Sequence, residues 1–196
     1  MKLTRRHLLG LLAATALPLP AQAALQQYNL DAARSTVAFR FSASGVKLRG
    51  TMPVAQADIR IDSAALTRSR VDVRVDATKV RSKAAYALPA LRSPDILDIA
   101  NHPRIRFKSS GIRLGRSGRI SDGAVVDGTL SLRGITLPVR LNASLYRQRG
   151  NAADDLSKLS VQLTGQISRK AFGITAFANL VADVVELDII ARINVA

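Results

Sequence analysis

The chain has 196 residues, of which 29 are basic and 14 acidic, and it contains no cysteine and two histidines. This composition excludes disulfides and the usual zinc and copper sites, which need several cysteine or histidine ligands. The net charge of +15 raises the question of nucleic-acid binding. The arginines, however, are spread singly along predicted strands, without the alternating aromatic residues of a stacking surface. We therefore expect no nucleic-acid partner, no metal and no cofactor. The basic surface suits peripheral contact with an anionic membrane instead.

The first 23 residues have the pattern of a secretory signal peptide. A basic head containing Arg5 and Arg6 precedes an apolar run at residues 8–17, which is too short to span a bilayer comfortably. The small residues at 21–23 form a cleavage signature, and the arginine pair resembles a twin-arginine export signal. We predict cleavage near Ala23 and a periplasmic domain at 24–196, which would keep 26 basic and 14 acidic residues and a net charge of +12.

Most of the remaining chain alternates apolar and polar residues with a period of two, which is typical of half-buried strands. The strands predicted in this way lie at 37–42, 46–50, 57–62, 70–76, 104–114, 126–132, 137–145, 159–167 and 185–195. A turn at 134–136 joins two of them into a hairpin. The pattern predicts an all-β fold with eight to nine antiparallel strands. Because the later strands reach about ten residues, a tilted barrel is favoured over a sandwich.

One stretch interrupts the strands with helix signals. Ser93 and Pro94 have the residue types of an N-cap and a first helical residue. Asp95 and Asp98 would place negative charge in the first turn, where the helix dipole favours it. His102 precedes a proline and would end the helix. We interpret this short helical insert as a cap or gate over one end of the barrel.

The inward side chains of the predicted barrel are mostly aliphatic and of modest size. They leave room for an elongated apolar cavity, although periodicity alone favours a fully packed core. The residues predicted to line the lumen and to contact an apolar ligand are Val37, Phe39, Phe41, Val73, Phe107, Leu130, Leu141 and Val161.

Four pieces of the sequence together resemble one known family. They are YNLD at 28–31 with STVAF at 35–39, LRSPD at 91–95 with HPRIRF at 102–107, GTLSLRG at 128–134, and SR at 168–169 with FGI at 172–174. In this order they resemble the YceI family of exported lipocalin-like proteins. The resemblance implies an extended lipocalin-like barrel with a helical segment. It also implies a periplasmic binding protein, without established catalysis, whose hydrophobic tunnel holds a polyisoprenoid, quinone-like or similar lipid.

Four positions depart from the family pattern. Arg34 and Ala43 replace histidines that are common there, and Ile96 and Leu97 replace aromatic residues. If these positions touch the ligand in relatives, we expect this member to bind a different lipid or to bind it less tightly.

The position of the insert suggests where a polar head group would lie. A diphosphate or other polar head would stay at the mouth of the tunnel, where Arg92, His102 or Arg104 would pair with it. Two alternatives remain open at this stage. One is a packed barrel whose basic surface contacts a membrane or a partner protein. The other is a hydrolase or isomerase acting on a bound lipid, which would need His102 or Asp98 to face the lumen. We expect no catalytic residues.

Overall fold

The computed structural model describes residues 25–62, 65–115, 122–147 and 155–196, so the predicted signal peptide at 1–23 lies outside the described residues. Eleven strands form one sheet. They are β1 (Gln26–Leu30), β2 (Thr36–Ala43), β3 (Val46–Met52), β4 (Val54–Ile61), β5 (Arg70–Asp76), β6 (Arg81–Ser82), β7 (Arg104–Leu114), β8 (Ala124–Leu132), β9 (Ile135–Arg147), β10 (Lys158–Ser168) and β11 (Val184–Val195). One short α-helix, α1 (Leu88–Arg92), lies between β6 and β7.

The sheet closes into a barrel because β1 pairs with both β4 and β11, and every pairing is antiparallel. β11 pairs with β1 near its C-terminal end and with β2 near its N-terminal end, so β1 and β2 share one position in the wall. In the same way, β3 and β4 share a second position in the wall, and β5 and β6 share a third. The eleven strands therefore make an eight-position barrel with extensions, which confirms the predicted extended antiparallel barrel.

The inward side chains form the hydrophobic core. The largest cluster lies where the helical insert and the segment after β10 cover the barrel, and it includes Leu91, Leu97 and the fully buried Phe172. A second cluster gathers around Tyr28 and Leu159. The core thus anchors the insert to the barrel.

The predicted start of the helix is wrong by six residues, because the N-cap is Ala87 and not Ser93. The helix runs over Leu88–Arg92 with Pro89 in its first turn, and Ser93 is its C-cap rather than an N-cap. Ser93 is extended, with ψ of 162°, as expected for a residue that precedes a proline. The residues from Pro94 onward form turns, and Asp98 adopts a positive φ of 47° that a continuous helix could not contain. The insert exists, but its helical turn precedes the signals assigned to it.

Other short breaks also occur in the sheet. Three-residue 3-10 helices lie at Leu66–Arg68, Ala77–Lys79 and Lys170–Phe172, so the insert is not the single helical interruption that the sequence suggested. In the part of the chain that the structure describes, no helix is both long and apolar enough to cross a membrane.

The β8–β9 hairpin turns one residue earlier than predicted. Leu132 pairs with Ile135, and the two residues between them, Arg133 and Gly134, both have positive φ. Two-residue hairpin turns of type I′ need positive φ at both central positions, and glycine adopts it without steric cost. The predicted turn residues Ile135 and Thr136 therefore belong to β9.

The outer face of the barrel carries ion pairs between strands. Arg106 on β7 donates two hydrogen bonds to Asp72 on β5, with Nε 2.9 Å from Oδ1. Arg40 on β2 lies 2.7 Å from Asp188 on β11. Cross-strand ion pairs on a solvated face such as these each contribute at most about 1 kcal/mol.

Candidate functional site

An apolar cavity with a volume of about 360 Å³ lies inside the barrel. Side chains from nearly every wall position and from the helical insert line it. In the described part of the chain, Tyr28, Ser35 and Arg169 are the polar members of a lining that is otherwise aliphatic or aromatic. A space of this kind is suited to an apolar guest, because no array of polar groups is present to orient a polar one.

All the residues predicted to face the lumen lie in the lining of this cavity. They come from strands β2, β5, β7, β8, β9 and β10, and they are Val37, Phe39, Phe41, Val73, Phe107, Leu130, Leu141 and Val161. The tertiary structure therefore brings them together around one space. Their contact with a ligand stays a prediction.

The aromatic rings in the wall pack against glycines on neighbouring strands. The ring of Phe107 lies against Gly128, where an added β-carbon would be 2.7 Å from Phe107 Cζ. Phe39 lies in the same way against Gly50, and its ring also stacks on Phe41 with centroids 6.1 Å apart. Each ring occupies the volume that a side chain on the facing strand would take. The absence of a β-carbon at these two positions therefore decides where the rings can lie.

A buried arginine at one end of the cavity was missed by the sequence analysis. Arg169 is only 4% exposed, and its guanidinium donates to four backbone carbonyl oxygens at 2.7–3.0 Å. These carbonyls belong to Ile174, Ala176, Val181 and Ala182, so this one side chain organises the segment between β10 and β11. The alternation along β10 could have indicated that this side chain points inward, because the inward positions of β10 are odd-numbered and residue 169 continues that series.

The two other polar lining residues are bonded to the protein itself. The hydroxyl of Tyr28 donates to the carbonyl of Leu156 at 3.0 Å, and burial is the main reason that its pKa is raised, with Asp155 as a second cause. The hydroxyl of Ser35 donates to the carbonyl of Asp31 at 2.7 Å and accepts from the Arg192 amide at 3.0 Å. These groups are satisfied without a ligand, so they act as structural hydrogen-bond partners.

The three residues predicted for the head group lie outside the cavity lining. Arg92 and Arg104 are exposed at the ends of α1 and β7. His102 packs near Gly134, with Cε1 3.2 Å from the position that a β-carbon on Gly134 would take, and its Nε2 lies 3.9 Å from Asp98 Oδ2. Their pairing with a head group stays a prediction, and among the described residues Arg169 is the cation in the cavity lining.

The alternative of a hydrolase or isomerase needed His102 or Asp98 to face the lumen. The structure places neither of them in the lining of the cavity. The carboxylate of Asp98 instead accepts hydrogen bonds from the amide of Asn101 at 3.0 and 3.1 Å. Both residues therefore help to shape the turn that leads into β7.

A family model described as a YceI-like domain matches residues 28–193, which is most of the chain. The protein belongs to the YceI-like family. Among its relatives is a UPF0312 protein of Vibrio parahaemolyticus, which is 31% identical over 135 residues, or 68% of this chain and 69% of the relative. The family named from four sequence pieces is thereby confirmed.

Solved structures share this YceI-like barrel. BcnA of Burkholderia cenocepacia superposes with a TM-score of 0.71 at 18% identity, over 84% of this chain and 99% of that one. A domain from Saccharophagus degradans, described as polyisoprenoid-binding and implicated in plant cell wall breakdown, gives a TM-score of 0.60 at 16% identity over 87% of this chain and 99% of that one. At these identities the likeness establishes the common fold.

Two of the four departures from the YceI pattern lie at the cavity. Ile96 and Leu97 both contribute to its lining, whereas Arg34 and Ala43 lie outside it. Ala43 forms a backbone bridge with Val181, whose carbonyl is one of the four that Arg169 binds. An aliphatic pair thus stands at the covered end of the cavity.

Proposed function

We propose that this YceI-like barrel is a binding protein that holds one long apolar lipid chain inside its cavity. The observation that carries the proposal is the continuous apolar lining, which extends from Tyr28 and Leu159 at one end to Leu97 and Ile174 at the other. The volume of about 360 Å³ lies in the range of roughly 300–1,000 Å³ that is typical of small-molecule sites.

The proposed ligand is a polyisoprenoid, a quinone-like lipid or another lipid with a similarly long apolar chain. Burying each methylene contributes about 0.8 kcal/mol, so a long chain can bind tightly with few polar contacts. The name of the Saccharophagus degradans domain, which has the same fold, supports a polyisoprenoid ligand. The aliphatic Ile96 and Leu97 would select among such lipids at the covered end.

The proposed role is binding without catalysis. The phenol of Tyr28, the hydroxyl of Ser35 and the guanidinium of Arg169 are the polar groups that the described lining offers, and each is hydrogen-bonded to the protein. The export signal proposed for residues 1–23 would place the protein in the periplasm. The cavity argues against the alternative of a fully packed barrel that acts only through its basic surface.

Native mass spectrometry of protein purified without detergent from its own host tests the proposal. We expect a mass shift from one bound lipid, and solvent extraction should release a long apolar chain. Apoprotein should regain the shift when a prenyl lipid is added, and its thermal unfolding should move to higher temperature. A protein that carries no lipid, and that added prenyl lipids do not stabilise, would contradict the proposed function.

A further inference from the structure

Large apolar side chains are exposed at one end of the barrel. Phe177 is 49% and Leu180 is 57% exposed in the segment between β10 and β11, and Val46 at the β2–β3 turn is 59% exposed. The two elements touch, because the Ser44 amide donates to the carbonyl of Leu180 at 2.7 Å. We call Phe177, Leu180 and Val46 the apolar rim.

Two residues of the apolar rim, Phe177 and Leu180, belong to a firmly held segment. Arg169 binds four carbonyls between residues 174 and 182, and the Ala182 amide donates to the carbonyl of Ser42 at 2.9 Å. Phe177 itself has a positive φ of 55°, which is unfavourable for a bulky residue and is found where the surroundings enforce it. The exposed positions of Phe177 and Leu180 are therefore built into the fold.

The same segment forms part of the cavity. Ile174, Ala176 and Val181 line the cavity, while the adjacent Phe177 and Leu180 face solvent. The segment therefore carries apolar side chains both on its cavity side and on its solvent side. An apolar ligand that left the cavity here would meet apolar side chains before it met open water.

The charges around the apolar rim fit an anionic surface. Lys47 follows Val46 and is 73% exposed, although it also lies 3.4 Å from Glu186. Lys170 is exposed at the start of the segment, where its backbone amide donates to the Asp183 carboxylate at 2.9 Å, and residues 171–182 between them contain no acidic side chain. The whole chain carries a net charge of +15. Attraction to anionic head groups would bring the protein to a bilayer, and the rim would then contact the acyl boundary.

We propose that the apolar rim docks on the surface of an anionic phospholipid bilayer. Phe177, Leu180 and Val46 enter the interface and Lys47 and Lys170 contact the head groups, so that lipid passes between bilayer and cavity without crossing water. This inference rests on the proposed function, because it assigns the end of the barrel through which the bound lipid is exchanged.

Vesicle flotation of the mature protein tests the docking. The probes are vesicles of phosphatidylglycerol with phosphatidylethanolamine, compared with vesicles of phosphatidylcholine alone. The double variant Phe177→Asp/Leu180→Asp should lose at least about tenfold in affinity for the anionic vesicles. Tyr146→Asp/Val195→Asp is the matched control, because Tyr146 is 53% and Val195 39% exposed near the opposite end of the barrel wall, and it adds the same two charges; it should bind like the wild type.

The outcomes separate this inference from the proposed function. A rim variant that keeps its bound lipid in native mass spectra but no longer floats supports both. A wild-type protein that floats but never carries lipid would contradict the proposed function and leave the docking surface in place.

Three results would overturn the docking proposal. One is equal flotation of the rim variant and the wild type, and another is equally strong binding to phosphatidylcholine vesicles. The third is a wild-type dimer that does not bind vesicles and that the rim variant converts to a monomer, since this would assign the rim to a second copy of the chain.

Discussion

The ring of Phe39 lies directly against Gly50 on the neighbouring strand, and a β-carbon added to Gly50 would be 2.2 Å from Phe39 Cζ. We predict that Gly50→Ala forces the ring away from the wall and into the cavity. The cost should be about 1–3 kcal/mol in the free energy of unfolding, as for other overpacked cores, with weaker lipid binding. Urea denaturation and a lipid-binding titration measure the two effects.

Two variants control for this change. Gly111→Ala introduces the same methyl group where nothing lies within 4 Å, so it should leave stability nearly unchanged. Phe39→Leu combined with Gly50→Ala should recover part of the loss, because the smaller side chain no longer meets the new methyl. If Gly50→Ala costs the same with and without the Phe39 ring, the contact is not the cause.

Filling the cavity should weaken lipid binding at least about tenfold while the barrel stays folded. Val161 lines the cavity from β10, and Val161→Trp would occupy volume that we assign to the lipid chain. Thr164 is an exposed residue on the same strand, and Thr164→Trp adds the same indole outside the barrel. We expect at least about a tenfold loss of affinity for the first variant and no loss for the second. Equal binding by both would mean that the lipid lies elsewhere.

The helical insert should behave partly as core and not only as a gate. Leu97 is 7% exposed within the largest core cluster, so Leu97→Ala should cost about 2–5 kcal/mol in the free energy of unfolding. Asp95 is exposed in the same insert, and Asp95→Ala should change stability by less than about 0.5 kcal/mol. Thermal and urea unfolding measure both. A Leu97→Ala protein that is fully stable but exchanges lipid faster would restore the simple gate interpretation.

Arg169 should be irreplaceable even by lysine. Lysine keeps the positive charge but cannot direct hydrogen bonds to four carbonyls around a planar group. We predict that Arg169→Lys costs about 2–5 kcal/mol and speeds hydrogen exchange of the amides at 174–182. Arg74→Lys, which affects an exposed arginine bonded to Gln56, is the control and should have little effect. Unchanged exchange rates in Arg169→Lys would show that the segment does not depend on the guanidinium.

Acid should destabilise the barrel through its outer-face carboxylates. Hydrogen bonds from Arg106 are the main reason that the pKa of Asp72 is lowered, and hydrogen bonds from Arg140 and Arg113 lower the pKa of Asp127. A lowered native pKa stabilises the fold above the unfolded value of about 3.9 and loses this contribution as the pH falls through the native pKa. Urea midpoints should therefore decline below about pH 4. Asp72→Asn and Arg106→Gln should each reduce the decline, and an unchanged pH profile in both would contradict this assignment.

Much of the cavity lining was predictable because a strand alternates its side chains. Once Val37, Phe39 and Phe41 are read as one strand, their common direction follows from the period of two. Leu130, Leu141 and Val161 are each assigned to the apolar face of their own strand by the same alternation. No long-range information is needed for this step. Local chemistry also explains why Ser93 cannot continue a helix, since the following proline forces it into an extended conformation.

The sequence by itself thus determined the all-β pattern, the family and the apolar face of each strand, because these depend on residues a few positions apart. Only the tertiary structure decided that β1 closes on β11, that Arg169 is turned inward onto four carbonyls, and that Phe177 and Leu180 remain outside. These features depend on segments that are far apart in the chain. Likewise, the Phe39 ring comes to lie against Gly50 only after β2 and β3 have paired.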